Sequence, residues 1–319
     1  MGPNCDPLSW CLVGNTWLFG PKAVRIWGQF GNILGPVKAS DLKHKFSAWQ
    51  GYGLNDVHLC DSNERNLAMR IAAIYDIHAN LPALEAVLHE IHQAKVNSIV
   101  VGGDVLPGPL PLETNLCLLD LDIPAQFIHG NGDREVLAQM SGVETDWYRA
   151  APEQWREPVR WTAQQLDSHH QRLLEGWPAT CRVTIPGLGN VLLCHATPRN
   201  DTEIFTRLTP VDRLLPIFEG LGVSVVICGH THMQFDRMIG TTRVVNAGSV
   251  GMPFGEPCAY WVLLEPGIQL RRTRYDLDRA ADRIRSTTYS QAEVFASRHI
   301  LHPPSEEETL AAFTRAELK

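Results

Sequence analysis

The sequence predicts an α/β layered fold, and three observations carry that prediction. From Met69 onward, short apolar runs recur, and each closes on a polar or glycine-rich cluster. The runs are continuous rather than alternating, as strands covered on both faces are. The connector after the first run has a helical period, and strand–helix–strand alternation builds layered α/β domains.

Taken in order, the first run is Ile71-Ala72-Ala73-Ile74, followed by Asp76 and His78. A helix is expected next. Asn80 suits its N-cap and Pro82 its first turn, where a missing N–H costs little. Leu84, Val87, Leu88 and Ile91 then recur at i, i+3, i+4 and i+7, which gives one buried face. Ser98–Val101 ends at Gly102-Gly103-Asp104, and Gln126–Ile128 ends at Gly130-Asn131-Gly132-Asp133. Val191–Cys194 ends at His195, Val223–Cys228 at Gly229-His230-Thr231-His232, and Thr242–Val245 at Asn246-Ala247-Gly248-Ser249. Residues 143–177 read as a polar, Trp-rich helical insert with proline breaks at Pro152 and Pro158. From Tyr275 the pattern is helical again, interrupted at His302-Pro303-Pro304. Both stretches suit lids or caps rather than separate domains.

Composition narrows the function classes. The chain has 319 residues, 44% hydrophobic and 20% charged, with net charge −7. That excludes intrinsic disorder and a coiled coil. No uninterrupted apolar stretch reaches the ~18 residues of a spanning helix. The acidic balance argues against extended nucleic-acid binding through bulk charge. Eight cysteines without a CxxC pair do not form a disulfide framework. Cys194 and Cys228, inside apolar runs, are expected in the core. A cytoplasmic protein with no membrane association is expected, and homo-oligomerisation is left open.

The totals conceal a seam. Residues 1–68 hold 4 of the 6 Lys but only 2 of the 22 Arg, and 4 of the 9 Trp. They carry 6 basic against 5 acidic residues; residues 69–319 carry 22 against 30. Residues 1–68 are read as an N-terminal extension, either translated from an early start codon or poorly structured. Residues 69–319 are read as the catalytic domain.

The chemistry lies at the strand ends. In open α/β sheets, ligands gather beyond the carboxyl ends of the strands. Five successive runs there deliver Asp76 with His78, Asp104, Asn131, His195, and His230 with His232. Any one of these has an ordinary explanation as a cap or a loop residue. One set per strand end does not. Imidazole, carboxylate and amide ligands suit Mn, Fe, Zn or Co, whereas Ca takes oxygen alone. There are more ligands than one catalytic ion uses while keeping a position open. Two ions sharing a carboxylate account for them.

The ordered set Asp76-x-His78, Gly103-Asp104, Gly130-Asn131-Gly132-Asp133, His195 and Gly229-His230-Thr231-His232 resembles the calcineurin-like metallophosphoesterase superfamily. Asn246-Ala247-Gly248-Ser249-Val250-Gly251 is similar to a signature of its small bacterial phosphodiesterase branch. The resemblance covers about residues 69–255. It implies a four-layer α/β/β/α sandwich of two mixed sheets, with a helical insert and C-terminal helices. It also implies two divalent ions, Mn first, with Fe, Zn, Ni or Co as alternatives. Asp76, His78 and His232 would hold one ion, Asn131, His195 and His230 the other, and Asp104 would bridge them. Asp104, Asn131 and His195 would be catalytic, and a metal-bridging hydroxide would attack a small phosphate ester in line. A phosphodiester is the expected substrate. The alternatives are a phosphomonoester or nucleotide, and a catalytically weak metal- or ligand-binding regulator.

Two departures from the pattern bear on rate and substrate. Gly132 stands where the superfamily usually has a His that assists the leaving group, and such help is commonly worth 10²–10⁴-fold. That favours good leaving groups or a substitute donor, for which His129 is adjacent in sequence. Tyr75 stands where Ser is more usual, and either narrows the pocket or packs beside it. Arg134 and Arg199 are candidate substrate-phosphate contacts. Arg134 pairing with Glu135, and Arg199 lying exposed in a turn, are the alternatives. Trp147, Trp155 and Trp161 suit a packed helical insert, Arg271-Arg272-Thr273-Arg274 a solvated strand end, and His169-His170 the surface.

Overall fold

The computed structural model describes residues 10–13, 16–19, 22–24 and 69–318. Residues 1–67 and 68–319 form two compact units. In the first, β1 (Trp10–Val13), β2 (Thr16–Phe19) and β3 (Lys22–Val24) form an antiparallel meander in that order. The rest of the N-terminal extension lies outside the described residues.

The second unit contains two five-stranded sheets. One runs β13 (Ile268–Thr273), β12 (Ala259–Leu264), β4 (Ile71–Ile74), β5 (Ser98–Val101), β6 (Ala125–Phe127). Its β4–β5–β6 core is parallel and β12 joins it antiparallel. The other runs β10 (Phe235–Ile239), β11 (Thr242–Asn246), β9 (Val225–Cys228), β8 (Gly189–Cys194), β7 (Thr180–Ile185).

Side-chain alternation makes the layers. Ile71, Ala73, Tyr75, Val100 and Val262 of the first sheet share one apolar cluster with Val191, Leu193, Val225, Ile227 and Val245 of the second. Their strand neighbours point the other way. Ala72, Ile74, Ile99 and Leu263 pack under the helices α1 (Leu81–Gln93), α2 (Pro111–Leu119) and α8 (Leu277–Arg285). Leu192, Val226 and Val244 pack with Leu214, Ile217 and Phe218 of α7 (Val211–Phe218). The result is the four-layer α/β/β/α sandwich, and it leaves the strands covered on both faces, as their continuous runs require. Cys194 and Cys228 are buried in it.

Three helices occupy the insert: α4 (Asp146–Ala150), α5 (Glu153–Gln165) and α6 (Ser168–Glu175), with α5 and α6 packed on α3 (Asn131–Met140). Pro152 is the N-cap of α5, but Pro158 lies inside that helix and does not end it. The carbonyl that a proline leaves without its helical partner is that of the fourth residue before it. Here Gln154 O accepts instead from Gln291 Nε2 at 2.7 Å. His170 also departs from the surface expectation. It is buried, and the N-cap Asp167 accepts from both its backbone N–H and its ring Nδ1. Trp161 packs edge-on against Tyr289, whereas Trp147 and Trp155 are exposed.

The chain closes with α8, then α9 (Ala292–Phe295) running into a π-helix (Ala296–Leu301), and α10 (Glu306–Ala316). Pro303 and Pro304 separate the last two, and Ser305 with Glu308 caps α10 reciprocally. Among the described residues no helix is long and apolar enough to cross a membrane.

Candidate metal centre

All seven predicted ligand residues come together beyond the strand ends. Asp76 and His78 follow β4, Asp104 follows β5, Asn131 opens α3 after β6, His195 follows β8, and His230 and His232 follow β9. Six of them fall into two groups, within each of which the ligand atoms lie within 4.8 Å of one another: Asp76, His78 and His232, and Asp104, His195 and His230. Asp104 faces both, with Oδ1 3.5 Å from His195 Nε2 and Oδ2 3.8 Å from His78 Nε2.

The backbone reaches these positions through unusual conformations. Asp76, His78, Asp104, His230 and His232 have φ of 53, 47, 50, 66 and 58°. The left-handed region costs an L-residue roughly 1–2 kcal/mol, and such costs concentrate where function requires a side chain to be aimed. Hydrogen bonds hold the turns in place: Asp76 N–H donates to Gly103 O, His78 N–H to Asp104 O, and His230 N–H to Asp76 Oδ2. The Asn246 loop braces them from below. Its amide donates to Gly229 O at 2.6 Å, and Ser249 Oγ donates to Asp76 O at 2.8 Å.

Three imidazoles are anchored by one nitrogen so that the other faces the cluster. His195 Nδ1 donates to Gly102 O at 3.0 Å, His232 Nδ1 to Met252 O at 2.7 Å, and His230 Nε2 to Thr202 O at 3.2 Å. This is the arrangement that fixes a metal-ligating imidazole in one tautomer. His78 Nε2 and His232 Nε2 then lie 3.2 Å apart. Asp76 Oδ1 is buried and accepts no hydrogen bond among the described residues. Asn131 fits the same pattern. With its carboxamide oxygen turned inward, that oxygen lies 3.2 Å from His195 Nε2 and 2.9 Å from His230 Nδ1; turned over, the amide nitrogen donates to both. Buried acceptors converging on one space are what a cation satisfies. The donor set therefore fits divalent metal.

Burial shapes the charge. It pushes His78 and His230 down to about 4, keeping both rings neutral. Burial also opposes a charge on His195, but the Asp104 and Asp76 carboxylates overcome it and hold that imidazole well above its ordinary range. Asp133 is pushed up to about 8 by burial and by Asp104, while accepting from Leu106 N–H and Gly130 N–H.

The departures from the family pattern are explained by packing. A Cβ at Gly132 would overlap the Leu106 carbonyl, and the Gly132 N–H donates to Asp104 Oδ1 at 2.7 Å. Tyr75 lies fully buried between the sheets with its hydroxyl on Ile227 O, so it packs beneath the site and does not line it. Arg134 forks Asp201 at 2.8 and 3.1 Å and meets Glu135 at 2.9 Å. Arg199 is bound by Glu203 at 2.6–3.1 Å on the rim of a cavity that includes His195 and His129. Arg272 and Arg274 pair with Glu256.

Three contributors were not anticipated. Asp201 holds Arg134 through both carboxylate oxygens. Phe254 stacks on the His232 ring at 5.4 Å and is itself backed by Phe313 of α10. His299, in the π-helix, lies close enough to His78 and His232 for protonated imidazoles there to disfavour a proton on its own ring. None of the three carries a local motif; each is brought in by packing of distant segments.

Known proteins share the family and the fold. The family model of the calcineurin-like phosphoesterase superfamily domain matches residues 69–266. An uncharacterised protein of Methanocaldococcus jannaschii is 28% identical over 234 residues, covering 67% of this chain and 91% of that protein. A metallophosphoesterase from Sphaerobacter thermophilus is 25% identical, with TM-score 0.58, over 73% of this chain and all of that one. A hypothetical protein from Pyrococcus horikoshii shares the fold at 19% identity and TM-score 0.61, over 74% of this chain and all of that one. With its candidate ligand residues gathered at the strand ends and the family model matched over residues 69–266, the chain belongs to the calcineurin-like phosphoesterase superfamily and is a metal-dependent phosphoesterase.

Proposed function

We propose that residues 69–319 form a dinuclear phosphodiesterase. Asp76, His78 and His232 would hold one divalent ion, Asn131, His195 and His230 the other, and Asp104 would bridge them. The observation that carries this is the convergence of bare acceptor atoms, the Asp76 Oδ1 without a donor above all, on one buried space. When bound, a pair of divalent ions lowers the pKa of water toward neutrality and offsets charge on a phosphoryl group. Manganese is the first candidate, for a donor set of imidazoles, carboxylates and one amide.

The chain's own residues set the geometry. The Gly132 N–H holds Asp104 Oδ1, and the backbone carbonyls at 102, 202 and 252 aim three imidazoles inward. Arg199, at the cavity rim, is placed to meet a phosphate ester, since a guanidinium forks phosphate well. Arg134 acts by fixing Asp201. No imidazole stands at position 132 to protonate a leaving group, so esters of weakly basic leaving groups and diesters are favoured. The free cysteines Cys117, Cys181, Cys194, Cys228 and Cys258 support a reducing compartment, the cytoplasm.

Elemental analysis of protein grown with Mn²⁺, together with hydrolysis of bis-p-nitrophenyl phosphate, tests the reading. Two ions per chain and turnover faster than that of p-nitrophenyl phosphate are expected. A metal-free, inactive protein would refute it.

A further inference from the structure

We infer that Arg134 is a positioning residue for one of the two ions, the one assigned to Asn131, His195 and His230, and does not itself meet substrate. The inference rests on the dinuclear reading above and adds which half of the centre this side chain serves. One loop reaches that half from several sides. Residues 197–203 begin two positions after His195, and the Thr202 carbonyl accepts from His230 Nε2 at 3.2 Å. The loop is braced within itself. Asn200 Oδ1 accepts from the Thr202 N–H at 2.6 Å and the Glu203 N–H at 3.1 Å, and Glu203 accepts from Thr197 Oγ1 at 2.6 Å. Next to Thr202, Asp201 is gripped by Nε and Nη2 of Arg134 at 2.8 and 3.1 Å. Arg134 stands one turn into α3, the helix that Asn131 opens. The fork thus ties the loop whose carbonyl aims His230 to the helix that carries Asn131.

Charge argues against a direct role on substrate. All three guanidinium nitrogens of Arg134 donate to carboxylates, since Nη1 meets the buried Glu135 at 2.9 Å. One cation between two carboxylates has no charge left over for a phosphate ester. What it supplies is geometry. Two parallel hydrogen bonds from a planar guanidinium fix both the distance and the plane of the carboxylate they hold, which the single point charge of a lysine does not. Groups that orient the ligands of a metal from behind are commonly worth about 10–100-fold in its affinity. His78 and His232, on the other ion, take no support from this loop among the described residues: His232 is anchored on Met252 O instead. Loss of the fork therefore falls on one ion and spares the other.

The test titrates chelator-stripped full-length protein with Mn²⁺ by calorimetry, and uses electron paramagnetic resonance to tell a coupled Mn pair from an isolated ion. In Arg134→Gln one ion should bind about 10–100-fold more weakly, and the other as in wild type. At Mn²⁺ levels that fill both sites of wild type, the coupled-pair signal should give way in this variant to the hyperfine pattern of isolated Mn²⁺. Arg134→Lys, which keeps the charge without the fork, should fall in between. Asp201→Asn should reproduce the loss from the other partner, and it replaces Arg134→Gln should that variant not fold. Arg243→Gln removes a comparable fork on Asp236 and should bind both ions as wild type does. Equal weakening of both ions would overturn the assignment. So would unchanged binding of both with a raised KM for bis-p-nitrophenyl phosphate, a result that returns Arg134 to the substrate. Wild-type protein that takes up fewer than two ions would overturn the dinuclear reading, and this inference with it.

Discussion

At the scale of single residues, the centre combines strain with electrostatic frustration. Five of the seven candidate ligands hold left-handed backbone, and Asp76 and Asp104 are both buried in one site. Replacing Asp104 by Asn removes the carboxylate that faces both groups. Hydrolysis should fall at least 10³-fold while circular dichroism stays native; retained turnover would show that Asp104 is not shared between two ions. Gly132 makes a different prediction. Because a Cβ there meets the Leu106 carbonyl, Gly132→Ala should cost about 1–3 kcal/mol in urea unfolding. Restoring the family's usual His at this position should therefore destabilise the protein rather than speed it. The clustering of these candidate ligands was legible from sequence, because strand-end location and residue type are local properties. What fills the place of the missing His was not, since the obstacle is a carbonyl 26 positions away.

At the scale of elements, helix ends and the C-terminal segment decide the details. Lys95 follows the C-terminus of α1 with φ 52°, the position where glycine is preferred. Lys95→Gly should relieve the left-handed cost of roughly 1–2 kcal/mol, less the extra freedom glycine has in the unfolded chain, and so stabilise without touching activity, in contrast to the left-handed residues of the candidate metal centre. The π-helix places His299 with its Nδ1 buried and no partner among the described residues, and burial pushes that imidazole down to about 3. An unfolded His titrates near 6.5. Between those values the unfolded chain binds a proton that the folded chain does not, so stability rises with pH from about 3 to about 6.5 and is lost as pH falls. Unfolding free energies from urea titrations at pH 4.5 and 7 should differ less in His299→Gln than in wild type, by roughly 1–3 kcal/mol. The helical period of residues 80–91 announced α1 directly. Pro158 misled, because the compensating donor, Gln291, belongs to another segment.

At the scale of the whole molecule, the two sheets meet through Tyr75, Ile227 and their neighbours, and the metal centre sits where their strand ends converge. Anything that binds only the folded state stabilises it by RT ln(1 + [L]/Kd). At a hundredfold excess of Mn²⁺ over its Kd the gain is about 2.7 kcal/mol, or roughly 5–10 °C in Tm for a domain of this size. Calorimetry with Mn²⁺ against a chelator measures it, and an unchanged Tm would remove metal from the account. Residues 69–319 expressed alone should match the full chain in Tm and in metal-dependent hydrolysis; loss of either would place part of the catalytic domain before Met69.

The sequence alone determined the layered α/β class, the six strands whose ends carry the polar clusters, and the family. Each of these rests on short-range pattern: an apolar run sets burial on both faces, and a polar cluster directly after it sets what the strand end presents. Only the tertiary structure decided that Tyr75 lies under the site, that Arg134 is spoken for by Asp201, and that Phe254 and His299 flank the first ligand group. These depend on which distant segments meet across a close-packed interior, where a neighbour's carbonyl or ring settles what a side chain touches.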